Sequence, residues 1–222
     1  MRIRKRAWVD KELEDCPFFI KNPQEHSGPW KAKFEKEQPL YLELGCGKGS
    51  FIAELAKRHP ENNYIAVDVV DTMLGMAQRN VEKSFNEAQM NIENVLLMQW
   101  NIEKISQIFN EDKVERIYIN FCNPWPRPRH NKRRLTHPRQ LVQYKNILQT
   151  NGEIYFKTDD MELYQASLRY FNEAGFEIVK KTEDLHKFPI FTENIITEHE
   201  DMFAKEGIQI KAIIARSWQV KK

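Results

Sequence analysis

The segment Glu43-Leu44-Gly45-Cys46-Gly47-Lys48-Gly49 puts three glycines behind one acid. These types can bring a ligand against bare backbone and hold it by charge. Leu40-Tyr41-Leu42 leads in as a strand, and Ser50-Phe51-Ile52-Ala53-Glu54-Leu55-Ala56 leads out as a helix. Glycines at such a junction let the chain turn sharply and aim main-chain N–H groups at a ligand over the helix start. A second strand, Tyr64-Ile65-Ala66-Val67, ends in Asp68, an acid placed to accept hydrogen bonds from ribose hydroxyls. The set reads as a nucleoside pocket; a tight turn without a ligand is the plainer alternative.

The spacing G-x-G-x-G departs from the G-x-G-x-x-G of dinucleotide enzymes, and no Ser or Thr follows Lys48 as a phosphate-binding loop requires. Glu43 adds a charge criterion. An acid there suits the ammonium group of a bound amino acid and repels a pyrophosphate. S-adenosyl-L-methionine carries an ammonium group and no phosphate, so it is the expected cofactor, ahead of a dinucleotide.

A second set begins where the run Arg116-Ile117-Tyr118-Ile119-Asn120-Phe121 ends. It reads Cys122-Asn123-Pro124-Trp125-Pro126-Arg127-Pro128-Arg129-His130-Asn131-Lys132-Arg133-Arg134-Leu135. Three prolines in five residues stiffen the loop. Trp125 offers a face for a base, and the arginines suit phosphates; a solvated basic face is the alternative. Cys122 reads as buried filler rather than a nucleophile for pyrimidine C5. Asn123 either orients a reactant or turns the chain before proline.

Elements must place these sets. Apolar runs predict strands at 40–45, 63–69, 94–100, 114–121, 152–158, 176–182 and 208–217. Helical patterns fall at about 49–59, 71–89, 103–110, 136–149 and 160–174, and a long loop holds Phe188 to Glu200. The alternation predicts an α/β fold: a Rossmann-like, seven-stranded, mainly parallel sheet with helices on both faces and a C-terminal antiparallel hairpin. In such sheets ligands sit beyond the carboxyl ends of strands, so the end of the strand at 114–121 is expected beside the glycine loop. Residues 1–38, with Pro17, Pro23, Pro29 and a basic start (Arg2, Arg4, Lys5, Arg6), read as an irregular extension before a domain at 39–222.

Net charge is only +2, so distribution decides what the charge is for. Between Arg127 and Arg139, six cations and two histidines occur with no acid, a focused positive surface. Cys16, Cys46 and Cys122 show no metal-type spacing, and a reducing cytoplasm is the simplest compartment. His59, His137, His186 and His199 are scattered, so surface or capping roles are expected and no metal. No run approaches the ~18 apolar residues of a membrane span, and no apolar core follows the basic start as in a secretory signal.

Asn120 to Leu135, together with Leu42 to Phe51, resembles the bacterial tRNA (guanine-N7-)-methyltransferase family, whose segment runs N-F-x-D-P-W-P-K-x-R-H-x-K-R-R-L. Phe156-Lys157-Thr158-Asp159 fits as well, as does Thr197-Glu198-His199-Glu200 with Phe203 and Gly207 beyond. The resemblance implies a class I methyltransferase that transfers a methyl group to a guanine N7, in the variable loop of tRNA, as a monomer or homodimer. It implies that Glu43, Gly45, Gly47, Asp68, Asn101 and Asn123 meet the cofactor. Asn123 stands at the family's catalytic-site aspartate. It further implies that Arg127, Asp159, Thr197, Glu198, His199 and Glu200 meet the substrate, and that Arg129, Lys132, Arg133 and Arg134 meet the RNA backbone. Asn cannot act as a general base, but guanine N7 carries no proton to remove; transfer by in-line displacement then rests on positioning. Asn123-Pro124-Trp125-Pro126 also resembles, with proline and aromatic transposed, the loop of exocyclic-amine methyltransferases. A cofactor-binding RNA-binding protein without catalysis is the remaining alternative.

Overall fold

In the computed structural model, which describes residues 7–26, 29–109 and 113–217, each of the expected apolar runs forms a strand. The basic residues Arg2, Arg4, Lys5 and Arg6, and also Trp218, lie outside the described residues. The chain divides into two units, Met1–Asp112 and Lys113–Lys222.

The first unit holds α1 (Ala7–Asp15), β1 (Phe19–Ile20), β2 (Leu40–Leu44), α2 (Ser50–Arg58), β3 (Asn63–Asp68), α3 (Asp71–Glu87) and β4 (Val95–Gln99). Its strands lie in the order β1-β4-β3-β2, all parallel where paired, with Leu40 opposite Asn63 and Tyr64 opposite Val95. Leu40, Leu42, Leu44 and Tyr64 to Val67 are all fully buried, as expected for parallel strands covered on both faces. Asn94 ties the far ends of these elements together, its amide donating to the carbonyls of Ala56 and Asn62 at 3.0 Å each.

The second unit holds β5 (Val114–Asn120), α4 (Pro138–Ile147), β6 (Leu148–Thr158), α5 (Met161–Glu173), β7 (Phe176–Thr182), α6 (Glu198–Lys205) and β8 (Lys211–Ser217). Here the order is β5-β6-β8-β7, with β6 parallel to β5 and β8 antiparallel to both its neighbours. Parallel strands alternating with helices and closing on an antiparallel pair give the Rossmann-like architecture. His137 caps α4 by accepting the Arg139 N–H, and Asp160 caps α5 through Leu163 N–H.

Besides helix α6, which follows a stretch expected to be loop, four details differ from expectation. Eight strands rather than seven are present among the described residues, because Phe19–Ile20 adds to the edge at β4, helped by Leu97 N–H donating to Phe18 O. The stretch at 103–110 forms a 3-10 turn, Ile102–Gln107, kinked at Lys104, rather than an α-helix. β6 begins at Leu148, not near 152, because Asn151 at φ +64° and a register shift against β5 absorb the extra residues. Finally, the stretch expected to be irregular before residue 39 includes α1, whose Val9 and Leu13 are buried at helical spacing.

Helix α1 is seated on α3. Arg79 receives a two-pronged grip from Glu12 at 2.6 and 2.7 Å and lies 3.6 Å over the Trp8 ring. Trp8 and Val9 fit against Gly75, where an added Cβ would lie 3.0 Å from the indole. Gly75→Leu is therefore expected to prise α1 from α3, lower stability by about 1–3 kcal/mol, and open Lys11 to trypsin. Chemical denaturation and limited proteolysis measure both; parental stability with parental cleavage would count against this seating.

Candidate functional sites

The glycine loop leaves β2 directly. Gly45 N–H and Cys46 N–H both donate to Val67 O at 2.8 and 3.1 Å, which binds the turn to the end of β3. Gly47 N–H donates to Asp68 Oδ2 at 3.0 Å, and Val70 N–H donates to Asp68 Oδ1 at 2.9 Å. Asp68 thus shapes the loop while its carboxylate keeps acceptor capacity for a ligand. Two of the glycines are required for different reasons. At Gly49, φ is +72° and a Cβ would fall 2.6 Å from Ala77 Cβ, so the close approach of α2 to α3 forbids a side chain. At Gly47, φ is +54° and a Cβ would meet nothing within 4 Å, so the backbone there is open to an incoming group.

The charge around the loop is negative. Glu43 is 2% exposed. Burial pushes the Asp68 carboxyl above its usual range, against the Val70, Gly47 and Val69 N–H groups that hold it down. Burial, then the negative charge of Glu43 and of Asp68, holds the Cys46 thiol well above the ordinary thiol range. Cys46 stays protonated and is no nucleophile. The open backbone at Gly47 beside two carboxylates fits a cationic nucleoside such as S-adenosyl-L-methionine and disfavours a pyrophosphate. Glu43, Gly45, Gly47 and Asp68 are thus brought together. Trp100 N–H donates to Asp68 O, which carries the chain from β4 to Asn101; Asn101 is exposed and its Oδ1 caps the following turn through Glu103 N–H at 3.0 Å.

In the second unit, the loop after β5 bends at two non-glycine residues with positive φ, Phe121 (+51°) and Trp125 (+44°). Asn123 stands between them, exposed, and its Oδ1 accepts Trp125 N–H at 2.9 Å. That bond is the Asx turn weighed from sequence. It uses only the oxygen, so the amide N–H2 remains able to donate. Arg134 was expected at the RNA backbone; the structure corrects this. Its side chain is only 2% exposed and is spent inside: Nε donates to Pro124 O at 2.7 Å, and Nη2 reaches Trp125 O at 3.4 Å and Glu162 at 2.7 Å. A buried guanidinium is stable only with such partners, and these oxygens are those of the loop.

Arg127, Arg129, Lys132 and Arg133 remain exposed on and beside the 3-10 turn Pro128–Arg133. Arg133 lies 5.1 Å over the Trp125 ring and His130 meets the same ring edge-on, so part of the indole is already covered. Desolvation, then Arg129, Arg133 and Arg127, lowers the His130 pKa, which keeps the ring neutral near pH 7. Burial pushes the Cys122 thiol up to about 12, in keeping with a filler.

The expected loop at 188–200 ends in α6. Thr197 is its N-cap, with Oγ1 accepting Glu200 N–H at 3.1 Å, the pattern of a Thr-x-x-Glu start. Glu200 is fully buried. Its oxygens accept from Lys157 Nζ (2.7 Å), Asn194 Nδ2 (2.6 Å) and His186 Nε2 (2.8 Å). Burial alone raises the Glu200 carboxyl, but the Lys157 charge and these hydrogen bonds outweigh it and leave the pKa below the usual range. Glu198 and His199 are exposed, and His199 stacks on Phe121 with centroids 6.1 Å apart. Asp159 is half-buried, and no side chain among the described residues donates to its carboxylate. From sequence, Lys157 figured only within a family-like segment, His186 was read as a surface or capping residue, and Phe121 and Asn194 were given no role of their own. The available signal was Lys157 itself, a cation on the buried face of a strand.

A family model described as "Putative methyltransferase" matches residues 37–213. The tRNA (guanine-N(7)-)-methyltransferase of Clostridium beijerinckii is 56% identical over 216 residues, 97% of this chain and 98% of that protein. That of Acetivibrio thermocellus is 48% identical, covering 97% and 99%. Among solved structures, the 16S rRNA methyltransferase KamB superposes with a TM-score of 0.59 at 12% identity, covering 81% of this chain and 87% of that one. The antibiotic-resistance methyltransferase Kmr does so at 0.57 and 15%, covering 99% and 96%. At such identities these two structures support the fold alone.

The Arg134 contacts yield a prediction. Arg134→Met keeps the stem but strands the Pro124 and Trp125 carbonyls, and is expected to cost about 1–3 kcal/mol. The ring contacts of Trp125 should loosen with it. Thermal unfolding and the Trp125 fluorescence of a variant lacking the other tryptophans measure this, and an unchanged indole signal would refute the clamp.

Proposed function

This chain belongs to the tRNA (guanine-N(7)-)-methyltransferase family, and on that premise we propose that it methylates N7 of the variable-loop guanine of tRNA in the cytoplasm. The observation that carries this reading is the pairing of sequence kinship over nearly the whole chain with an exposed basic loop, Arg127 to Arg133, held rigid at the end of a parallel strand. S-adenosyl-L-methionine supplies, when bound, a methyl group on a positively charged sulfur. Glu43 holds the cofactor's ammonium group, Asp68 its ribose, and the bare Gly47 backbone admits the nucleoside.

Guanine N7 presents a lone pair in the base plane and carries no proton. No side chain therefore needs to remove one, and Asn123 in place of an acid is compatible with the chemistry. The reaction moves positive charge from sulfur to purine, and Asp159 is a carboxylate free to face it. Arg127, Arg129, Lys132 and Arg133 hold phosphates, which fixes register without reading sequence. N7 lies in the deep groove of A-form RNA, so the target guanine must leave regular duplex. Asn123 Oδ1 already accepts Trp125 N–H, which argues against the exocyclic-amine alternative, where that oxygen must accept from the substrate amine. No helix among the described residues is long and apolar enough to cross a membrane.

The test is transfer of labelled methyl to unmodified tRNA followed by chain scission at N7-methylguanine. The expected result is cleavage at one variable-loop guanine. Label at adenine N6 or guanine N2 would support the exocyclic-amine reading instead, and absence of label would overturn the enzyme reading.

A further inference from the structure

Lys157 connects the segments assigned to the acceptor, and we propose that it is a positioning residue for methyl transfer, a role that rests on the function proposed above. Its side chain is 3% exposed. Its three N–H donors meet Glu200 Oε2 at 2.7 Å, Ile195 O at 2.9 Å and Asn194 Oδ1 at 3.1 Å. Every acceptor comes from residues 194–200, the end of the loop and the first turn of α6. Its own carbonyl accepts Phe121 N–H at 2.9 Å, the first residue of the Asn123 loop, and the ammonium lies 6.0 Å over the Phe121 ring. Asp159 follows two positions along the chain. One residue thus ties the Asn123 loop, Asp159 and the start of α6 to a single strand.

The tie determines what α6 presents. Thr197 is spent on the cap and Glu200 on Lys157, His186 and Asn194. The first turn of α6 then exposes Glu198, His199 and Asp201 toward solvent, with His199 stacked on Phe121. Replacing a buried ion pair by apolar residues is often neutral or favourable for stability. A lysine with three matched acceptors therefore earns its place by selecting one geometry of the 194–200 segment. Glu200 accordingly acts through Lys157 and the helix start rather than by touching the guanine.

Lys157→Met keeps the length and removes the ammonium, and the paired variant Lys157→Met/Glu200→Met removes both buried charges. Cofactor affinity, measured by equilibrium binding, is expected to stay within about twofold of the parent in both, while kcat on tRNA falls roughly 10- to 100-fold, as misplacement of reacting groups does. The paired variant should regain thermal stability relative to Lys157→Met without regaining kcat, a split that a merely structural residue does not produce. Parental kcat in either folded variant overturns the proposal; if Lys157→Met does not fold, the paired variant carries the test. Should the parent itself transfer no methyl to tRNA, the functional reading fails, and proteolysis of residues 186–205 then decides the tie. Faster cutting in the paired variant supports it, and the parental pattern overturns it.

Discussion

A buried cation has to be surrounded by oxygen atoms, and in the second unit two such cations decide where the loops go. Arg134 is held by the carbonyls of Pro124 and Trp125 and by Glu162; Lys157 is held by Glu200, the Ile195 carbonyl and Asn194. Leaving either charge without its partners costs several kcal/mol, so the surrounding backbone has little choice of conformation. The strained φ angles at Phe121 and Trp125 persist because these contacts over-determine the loop. Rigidity near the proposed acceptor comes from charge satisfaction as much as from the prolines.

The first unit uses charge of the opposite sign. Glu43 and Asp68 flank a turn whose Gly47 backbone is bare, and burial, reinforced by their negative charge, keeps the Cys46 thiol protonated. A negative pocket suits a cationic methyl donor, while exposed arginines in the second unit suit a polyanionic acceptor. Neither arrangement includes a group poised to take a proton from the acceptor, and none is needed for an acceptor that has no proton to lose.

Much of this was legible in the sequence because its strands are continuous apolar runs and its glycines punctuate a strand–helix junction. Glu43, Gly45, Gly47 and Asp68 were readable as one cluster for that reason. Arg134 was misread because a run of cations looks uniform in sequence, while burial sorts them: five of its neighbours in that run face water or a ring, and it alone turns inward. Helix α6 was missed because its eight residues carry little apolar periodicity, although Thr197 and Glu200 spelled its cap. The role of Lys157 is a matter of contacts over more than thirty residues of chain, which no local pattern encodes.

The central claim is that Asn123 serves by holding the loop through its oxygen and not by moving a proton. The most direct test is the single-turnover rate of methyl transfer to tRNA in Asn123→Asp and Asn123→Ala. An aspartate offers Trp125 N–H the same acceptor, so the rate is expected within about threefold of the parent and without a new acid limb near the carboxylate range. The alanine variant, lacking that acceptor, should be slower by roughly 10-fold or more. An aspartate variant far faster than the parent with such a limb, or an alanine variant as fast as the parent, would contradict the account.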